Sequence, residues 1–136
     1  MFIHSFRKHF ALLVVASIFV GGCAVNNNSL KVRDLADCMN YHKVKIDHIK
    51  PIEPAMLYAD SAMEMKIAGH VVAAYYFNKN LETQKKRIEL IEKNKYVYIM
   101  GLKFPAIVHG SFVLVNVNSN PKKHEIINAF KKFEIP

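Results

Sequence analysis

The sequence has 136 residues, of which 51% are hydrophobic, and its 19 Lys and Arg against 11 Asp and Glu give a net charge of +8 at pH 7. This length accommodates one domain and excludes an arrangement of several. The basic balance admits nucleic acid, anionic lipid or an acidic protein segment as a partner, although a run of lysines on a small domain is usually a solvated face.

The first 22 residues have the pattern of a signal peptide. Arg7 and Lys8 form a cationic region, Phe10–Val20 is an apolar run with Ser17 as its single polar residue, and Gly21-Gly22 supplies small residues before a cleavage site. The apolar run is shorter than the roughly 20 residues that a membrane-spanning helix needs. The pattern predicts an exported protein that loses residues 1–22, and an exported protein seldom meets nucleic acid.

The four residues Val20–Cys23, VGGC, resemble the bacterial lipobox, in which the cysteine is acylated and becomes the mature N-terminus. The resemblance implies lipidation of Cys23 and a mature net charge of +6, because Arg7 and Lys8 are removed. The two or three acyl chains of such a cysteine suffice for stable anchoring. By resemblance to sorting in Gram-negative bacteria, Ala24 implies the outer membrane, with the domain facing the periplasm.

Residues 23–33 are polar and rich in asparagine, which predicts a short lipidated tether. Residues 34–136 then form the single domain. Near its start, Val44 and Ile46 alternate with polar residues, but Pro51 interrupts the pattern, so we expect an irregular segment or an edge strand.

Cys38 has no partner within the chain if Cys23 is acylated. In an oxidising compartment it is then buried, free or paired with another chain, and burial is the commonest of these states.

A helix followed by a strand is predicted between residues 55 and 77. Ala55–Lys66 is rich in Ala, Met, Leu and Glu, and its apolar residues include a set at helical spacing. Every residue of Val71–Phe77 is apolar, which predicts a central strand with both faces covered. Gly69 would let the chain bend from the helix into the sheet.

The stretch between residues 81 and 104 admits two interpretations. The spacing of Ile88 and Ile91 suits a helix, while the loose alternation of Arg87–Glu92 suits a strand. Because the preceding turn has only a few residues, which favours an antiparallel partner, we expect a strand. The last part of the stretch suits either a short helix or more strand.

Two further elements complete the predicted fold. Ser111–Asn118 is largely apolar on both faces, which predicts a third strand. Lys122–Phe133 carries its Ile and Phe residues on one stripe and its lysines on the other, as in an amphipathic helix. The sequence predicts an α+β domain with a small antiparallel sheet of about three strands, helices on one face, and a C-terminal amphipathic helix.

Residues 54–118 resemble the TonB C-terminal domain. The pattern is a tyrosine, a helical alanine, and isoleucine-x-glycine-x-valine leading into the first strand, and it falls on Tyr58, Ala62, Ile67, Gly69 and Val71. The later sequences LKFP and GSFVLVNV resemble the end of that family's second helix and its third strand. The chain departs from the family in having alanine after the tyrosine, where proline is usual, and in lacking a membrane helix and a long proline-rich spacer.

The resemblance implies a TonB-like fold and a mode of binding, but not energy transduction, which needs the spacer. In that family an edge strand accepts an extended peptide by strand addition. The corresponding partner-binding residues are Ser111, Phe112, Val113, Leu114, Val115, Asn116 and Val117. The alternative is that this is an ordinary core strand covered by the C-terminal helix, since an apolar edge must be protected.

No catalytic, cofactor-binding or metal-binding residues are predicted. The histidines after Cys23 lack the i, i+4 pairs and nearby carboxylates of a metal site on a helix. They are His42, His48, His70, His109 and His124. His109–Ser111 lacks the context of a nucleophile elbow, so we expect a binding protein rather than an enzyme.

The sequence thus predicts a lipid-anchored envelope protein whose TonB-like domain binds a protein or peptide in periplasmic transport or another envelope function. The alternative is a structural or accessory lipoprotein that contacts anionic envelope components through its basic face, without a transport role.

Overall fold

The computed structural model describes residues 24–136, so the predicted signal peptide and Cys23 lie outside the described residues. Its elements in chain order are α1 (Val32–Tyr41), β1 (His48–Pro51), a 3-10 helix (Pro54–Leu57), β2 (Ser61–Ile67), β3 (His70–Tyr76), α2 (Glu82–Asn94), β4 (Tyr96–Ile99), β5 (Leu102–His109), β6 (Phe112–Val115) and α3 (Lys123–Phe130). Over this part of the chain, no helix combines the length and the apolar character needed to cross a bilayer.

The six strands form one antiparallel sheet in the order β1-β2-β3-β6-β5-β4. Strand β5 contributes to two pairings: Leu102–Pro105 pairs with β4, and Ala106–His109 pairs with β6. Pro105, which has no N–H group, stands where the pairing changes. The β4–β5 hairpin therefore extends beyond the end of β6.

Both faces of the sheet are covered. Helices α1 and α3 pack on the first face, where the buried strand residues are Met63, Met65, Ile67, Val72, Ala74, Phe112 and Leu114. Helix α2 and the 3-10 helix pack on the second face, where the buried strand residues are Ala62, Tyr75, Val97, Ala106, Val113 and Val115. The central strand predicted at Val71–Phe77 is confirmed as β3, and its apolar character on both sides follows from this double cover.

The α+β class and the C-terminal amphipathic helix are confirmed, the latter as α3. Two features of the predicted fold are wrong, because the sheet has six strands rather than about three and helices lie on both faces rather than on one. Helix α1 lies where an irregular segment is predicted. Its Leu35 and Met39, four residues apart, are fully buried on the first face.

The helix predicted over Ala55–Lys66 is wrong. Only Pro54–Leu57 is helical, and this 3-10 turn ends at Tyr58 in the left-handed conformation, with φ 59°. Ser61–Ile67 is strand β2, in which most buried residues alternate with more exposed ones. Burial on a sheet face outweighs the helix propensity of Ala, Met and Glu, which is worth less than about 1 kcal/mol per residue.

Gly69 lies in a hairpin turn and not at a junction between helix and strand. Ala68 (φ 51°) and Gly69 (φ 79°) form the two-residue loop between Ile67 and His70. Positive φ at both positions is the signature of a type I′ turn, whose twist matches that of the flanking strands. The predicted bend from a helix into the sheet is therefore wrong.

The strand predicted over Arg87–Glu92 is also wrong, because Glu82–Asn94 is helix α2. Its buried residues Ile88 and Ile91 are three apart, which is a helical spacing. Leu90, which a strand would place on the same face as Ile88, is 56% exposed. The residues that follow form the β4–β5 hairpin.

Candidate functional site

The strand predicted to be an accessible edge lies in the middle of the sheet. Strand β6 pairs with β3 on one side and with β5 on the other, so both rows of its backbone groups are used. A peptide cannot be added there. The prediction of an edge at Ser111, Phe112, Val113, Leu114, Val115, Asn116 and Val117 is wrong for this reason, and the alternative of a core strand is the one that the sheet shows.

The five residues of the TonB-like pattern do not form a common surface. Tyr58 ends the 3-10 helix, Gly69 lies in the β2–β3 turn, and Val71 lies in β3. Ala62 and Ile67 are buried on opposite faces of β2. A strand–turn–strand hairpin thus stands where the pattern implies a helix followed by a strand, and these residues build the sheet.

The sheet has two outer edges, β1 and β4. In an antiparallel pair, alternate residues direct their N–H and C=O groups toward the neighbouring strand and away from it. Ile52 N donates to Ala62 O at 3.3 Å, so the residues of β1 that point outward are Ile49 and Pro51. Because proline has no N–H, the outer edge of β1 offers only one donor.

The outer edge of β4 is less protected. Ala106 N donates to Lys95 O at 3.0 Å, so the backbone groups of Lys95 point toward β5. Because this direction alternates along the strand, those of Val97 and Ile99 also point toward β5. Tyr96 and Tyr98 therefore direct their backbone groups outward, and no group of residues 24–136 hydrogen-bonds to them. Strand β4 also contains neither proline nor a charged residue, which are common protections of an edge.

The β4–β5 hairpin exposes apolar side chains at its tip. Tyr98 is 58% exposed, Met100 is 83% exposed and Leu102 is 63% exposed. We call Tyr96, Tyr98, Met100 and Leu102 the hairpin surface. Exposed apolar residues that occur together, unlike isolated ones, mark interaction sites.

Aromatic and cationic groups meet beside this edge. The rings of Tyr96 and Tyr98 lie edge to face, with centroids 5.4 Å apart, and Lys103 Nζ is 4.1 Å from the centroid of Tyr96. A cation over an exposed aromatic ring stabilises the arrangement by about 0.5–1 kcal/mol. Lys95 adds a second positive charge at the base of the hairpin. The hairpin surface is thus apolar with basic neighbours.

The 3-10 helix also contacts β4, although it follows β1 at the opposite edge of the sheet. The sheet therefore curls about its second face. Leu57 of this turn is buried with Val97 of β4, while Met56 and Tyr58 are 48% and 64% exposed. These two exposed side chains come from the segment beside β4 and add to the apolar area at this edge.

At the other end of the sheet, Asn27 fastens the N-terminal segment to the domain. Its side chain is fully buried, and its Nδ2 donates to the carbonyl oxygens of His109 and Phe133, both at 3.0 Å. Its Oδ1 accepts from Ser111 N at 2.8 Å. Both amide donors are therefore satisfied, as the burial of a polar side chain requires.

Asn28 continues this attachment. Its Oδ1 accepts from Lys79 N and from Ser111 Oγ, each at 2.8 Å, and its backbone carbonyl accepts from the Tyr76 hydroxyl. Burial raises the pKa of Tyr76, which keeps the phenol in the protonated form that donates. We call Asn26–Asn28 the asparagine clamp.

The hydrogen bonds of the asparagine clamp contradict the prediction that residues 23–33 form a tether, for most of that range. Ile135 N donates to Asn26 O at 2.8 Å, and α1 begins at Val32, so residues 26–33 belong to the domain. A polar, asparagine-rich composition is typical of a linker, but here the amides bond to backbone groups far away in the sequence. Only Ala24 and Val25 of the described residues precede the clamp.

His109 lies beside the asparagine clamp. Its ring packs against Phe130 with centroids 5.6 Å apart, and its Nε2 is buried, 3.9 Å from Oε2 of Glu134, without a hydrogen bond from the described residues. Burial lowers the pKa of His109, the Glu134 carboxylate opposes this effect, and Lys131 adds to it. The fold therefore favours the neutral imidazole.

Chemically reactive groups are few in the described part of the chain. Residues 24–136 contain no group of three or more His, Cys, Asp or Glu side chains placed to hold a metal ion. Cys38 is half-buried on α1, and its Sγ lies 3.6 Å from Ala129 O. Burial raises the pKa of Cys38 and the positive charge of Lys132 opposes this, which leaves a thiol of low reactivity.

A basic cavity of about 470 Å³ opens between the end of α1 and the start of α3. Lys43, Lys45 and Lys122 line it together with Asp47 and Glu125. It lies at the same end of the sheet as the β2–β3 turn, because Ala68 also lines it. The lysines outnumber the carboxylates by three to two, so the groove is weakly basic and suits a broad anionic surface better than one strongly charged ligand.

The β4 edge and the asparagine clamp are the two features that sequence reasoning missed. The alternation of Tyr96–Ile99 around the Met100-Gly101 turn was the available signal for the hairpin. No local signal identifies the clamp, since the side-chain partners of Asn27 lie 82 to 106 residues away and the nearest partner of Asn28 lies 48 residues away. The chain matches no protein family, no curated protein and no solved structure.

Proposed function

We propose that this chain is a lipid-anchored protein of the bacterial cell envelope that binds an extended segment of a partner protein by adding it as a strand to β4. The observation that carries the proposal is that the outward backbone groups of Tyr96 and Tyr98 have no hydrogen-bond partner among residues 24–136 and lie beside the exposed hairpin surface. The mode of binding is that implied by the TonB resemblance, moved from β6 to β4. Export and acylation of Cys23 are supported by the sequence pattern of residues 1–23.

The chemistry beside β4 favours one class of partner segment. Backbone groups of Tyr96 and Tyr98 would bond to the added strand, and alternate side chains of that strand would lie beside the tyrosine rings on one face of β4, while Leu102 lies on the other face of the hairpin. Lys95 and Lys103 would attract carboxylates at its ends. The proposed partner segment is therefore extended, apolar at alternate positions and acidic at its flanks.

Photo-crosslinking in producing cells tests the proposal. A photoreactive amino acid in place of Tyr98 is compared with the same residue in place of Tyr41, which is 83% exposed at the end of α1. We expect a discrete partner protein to be captured from position 98 and not from position 41. Identical capture from both positions, or none from 98, would contradict the proposal.

Binding measurements with the captured partner then test the residues. Tyr98→Glu and Met100→Glu place a charge on the hairpin surface and should each weaken binding at least about tenfold, since truncation or charging at the centre of an interface costs more than about 1.4 kcal/mol. Tyr41→Glu is the matched control and should bind normally. If the capture product is a second copy of this chain, the edge serves self-association instead.

A second function, contact with anionic envelope components, is favoured by the three lysines that line the cavity between α1 and α3. It predicts that the chain from Ala24 to Pro136 binds anionic vesicles in low salt and is released in high salt. Lys43→Gln with Lys45→Gln should then reduce vesicle binding, whereas Met100→Glu should not. Binding that is unaffected by salt would contradict this second function.

A further inference from the structure

The asparagine clamp and the hairpin surface lie at opposite ends of β5. Asn27 bonds to His109, the last residue of β5, while Leu102 at the hairpin tip is its first residue. Seven residue steps at about 3.3 Å each separate these positions by roughly 23 Å. The N-terminal segment therefore joins the domain at the end of the sheet opposite the tip of the β4–β5 hairpin.

The clamp leaves very little free chain between the domain and Cys23. Four residue steps separate Cys23 from the buried Asn27, and a fully extended chain covers at most about 3.6 Å per residue, or roughly 14 Å. Asn27 itself cannot follow the chain outward without breaking three hydrogen bonds. We call the four residues 23–26 the leash. A lipid chain on Cys23 would thus hold this end of the sheet within the length of the leash from the bilayer.

The surface around the clamp has the side chains that suit such a contact. Leu81 and Ile135 are 47% and 37% exposed, and Lys131 and Lys132 are exposed at the end of α3. The nearby acidic residues are Glu134, Asp60 and Glu82. Apolar side chains can enter the head-group region, and lysines near the surface are attracted to anionic lipids. Lysines are not concentrated at the clamp end, so the short leash contributes more to the orientation of the domain than charge does.

We propose that the asparagine clamp fixes the orientation of the acylated protein, with the clamp end docked on the bilayer and the hairpin surface directed away from it. The inference rests on the acylation of Cys23 in the proposed function. It implies that the partner segment for β4 comes from a protein that reaches the far side of the domain, beyond the head groups of the anchoring membrane.

The chain contains no tryptophan, which makes single-tryptophan reporters possible. Leu81→Trp marks the clamp end and Tyr98→Trp marks the hairpin surface. Each acylated full-length variant is reconstituted into phosphatidylethanolamine–phosphatidylglycerol vesicles with and without brominated acyl chains. We expect the brominated lipid to quench Leu81→Trp at least about twofold more than Tyr98→Trp. Equal quenching, or stronger quenching of Tyr98→Trp, would overturn the proposal.

A longer leash is the matched control. Ten Gly and Ser residues inserted between Ala24 and Val25 leave the clamp intact and should reduce quenching of Leu81→Trp toward the Tyr98→Trp value. Unchanged quenching would show that the leash does not set the orientation. The chain from Ala24 to Pro136, floated with the same vesicles in high salt, separates the two proposals: if it still floats, acylation is not the anchor and the proposed function fails, whereas an orientation failure leaves the anchoring intact.

Discussion

Asn27 occupies the space that a side chain at Gly110 would need. A Cβ atom at Gly110 would lie 2.2 Å from Asn27 Oδ1, and Gly110 has a φ of 62°. The turn between β5 and β6 therefore accepts the Asn27 amide only because it carries a glycine. This pair joins the N-terminal segment to the middle of the sheet.

Gly110→Ala should destabilise the fold by about 2–4 kcal/mol, because the left-handed backbone is strained and Asn27 must give up buried hydrogen bonds. Gly69→Ala is the control: its φ is 79° but no atom lies within 4 Å of the added Cβ, so only the strain of about 1–2 kcal/mol applies. Urea unfolding measures both. Equal losses would contradict the contact between Asn27 and Gly110.

Removal of the clamp should weaken the whole domain. A chain that begins at Ser29 loses the amides of Asn27 and Asn28 and leaves Ser111 N and the carbonyls of His109 and Phe133 without these partners. We expect a loss of at least about 3 kcal/mol relative to a chain that begins at Ala24. If thermal unfolding of the two chains coincides, residues 24–28 act as a tether after all.

One pair of substitutions distinguishes helix from strand over residues 82–94. Ile88→Ala should cost about 2–5 kcal/mol because Ile88 is buried in the second-face core. Leu90→Ala should change the free energy of unfolding by less than about 0.5 kcal/mol, since Leu90 is 56% exposed. In a strand, residues 88 and 90 would share a face, and the two losses would then be similar.

The burial of His109 should make stability depend on pH. Burial holds the pKa of His109 below the value of the unfolded chain, so the unfolded state binds the proton more readily. The contribution of neutral His109 is complete above the unfolded pKa of about 6.5 and is lost as pH falls through the lower folded pKa. The urea midpoint should therefore decrease with acidification, and His109→Gln should flatten that decrease. A midpoint that rises on acidification would show that the Glu134 carboxylate outweighs burial.

The elements with one dominant pattern could be predicted from the sequence. Strand β3 and helix α3 are confirmed because Val71–Phe77 is uniformly apolar and Lys122–Phe133 has a clear stripe. Strand β2 is rich in Ala, Met and Glu, so its composition favoured a helix while its pairing with β1 and β3 favoured a strand. Pairing between distant segments has no local signature.

The candidate site depended even more on tertiary structure. Whether a strand lies at an edge depends on the strand order of the sheet. Strand β6 is central because it pairs with β5, its neighbour in the sequence, and also with the distant β3. The resemblance to TonB implies that one edge of β6 is accessible, but in the observed sheet β6 is central and β4 is an edge strand. The roles of Asn27 and Gly110 could not be predicted, because their contact joins residues 83 positions apart in the sequence.

Residue-resolved hydrogen exchange of the chain from Ala24 to Pro136, with and without the segment of the captured partner, tests the central claim most directly. Strand addition to β4 predicts slower exchange at the amides of Tyr96 and Tyr98, which point outward, with little change at Val97 and Ile99, which already pair with β5. Unchanged exchange at Tyr96 and Tyr98 in the presence of a bound partner would contradict it.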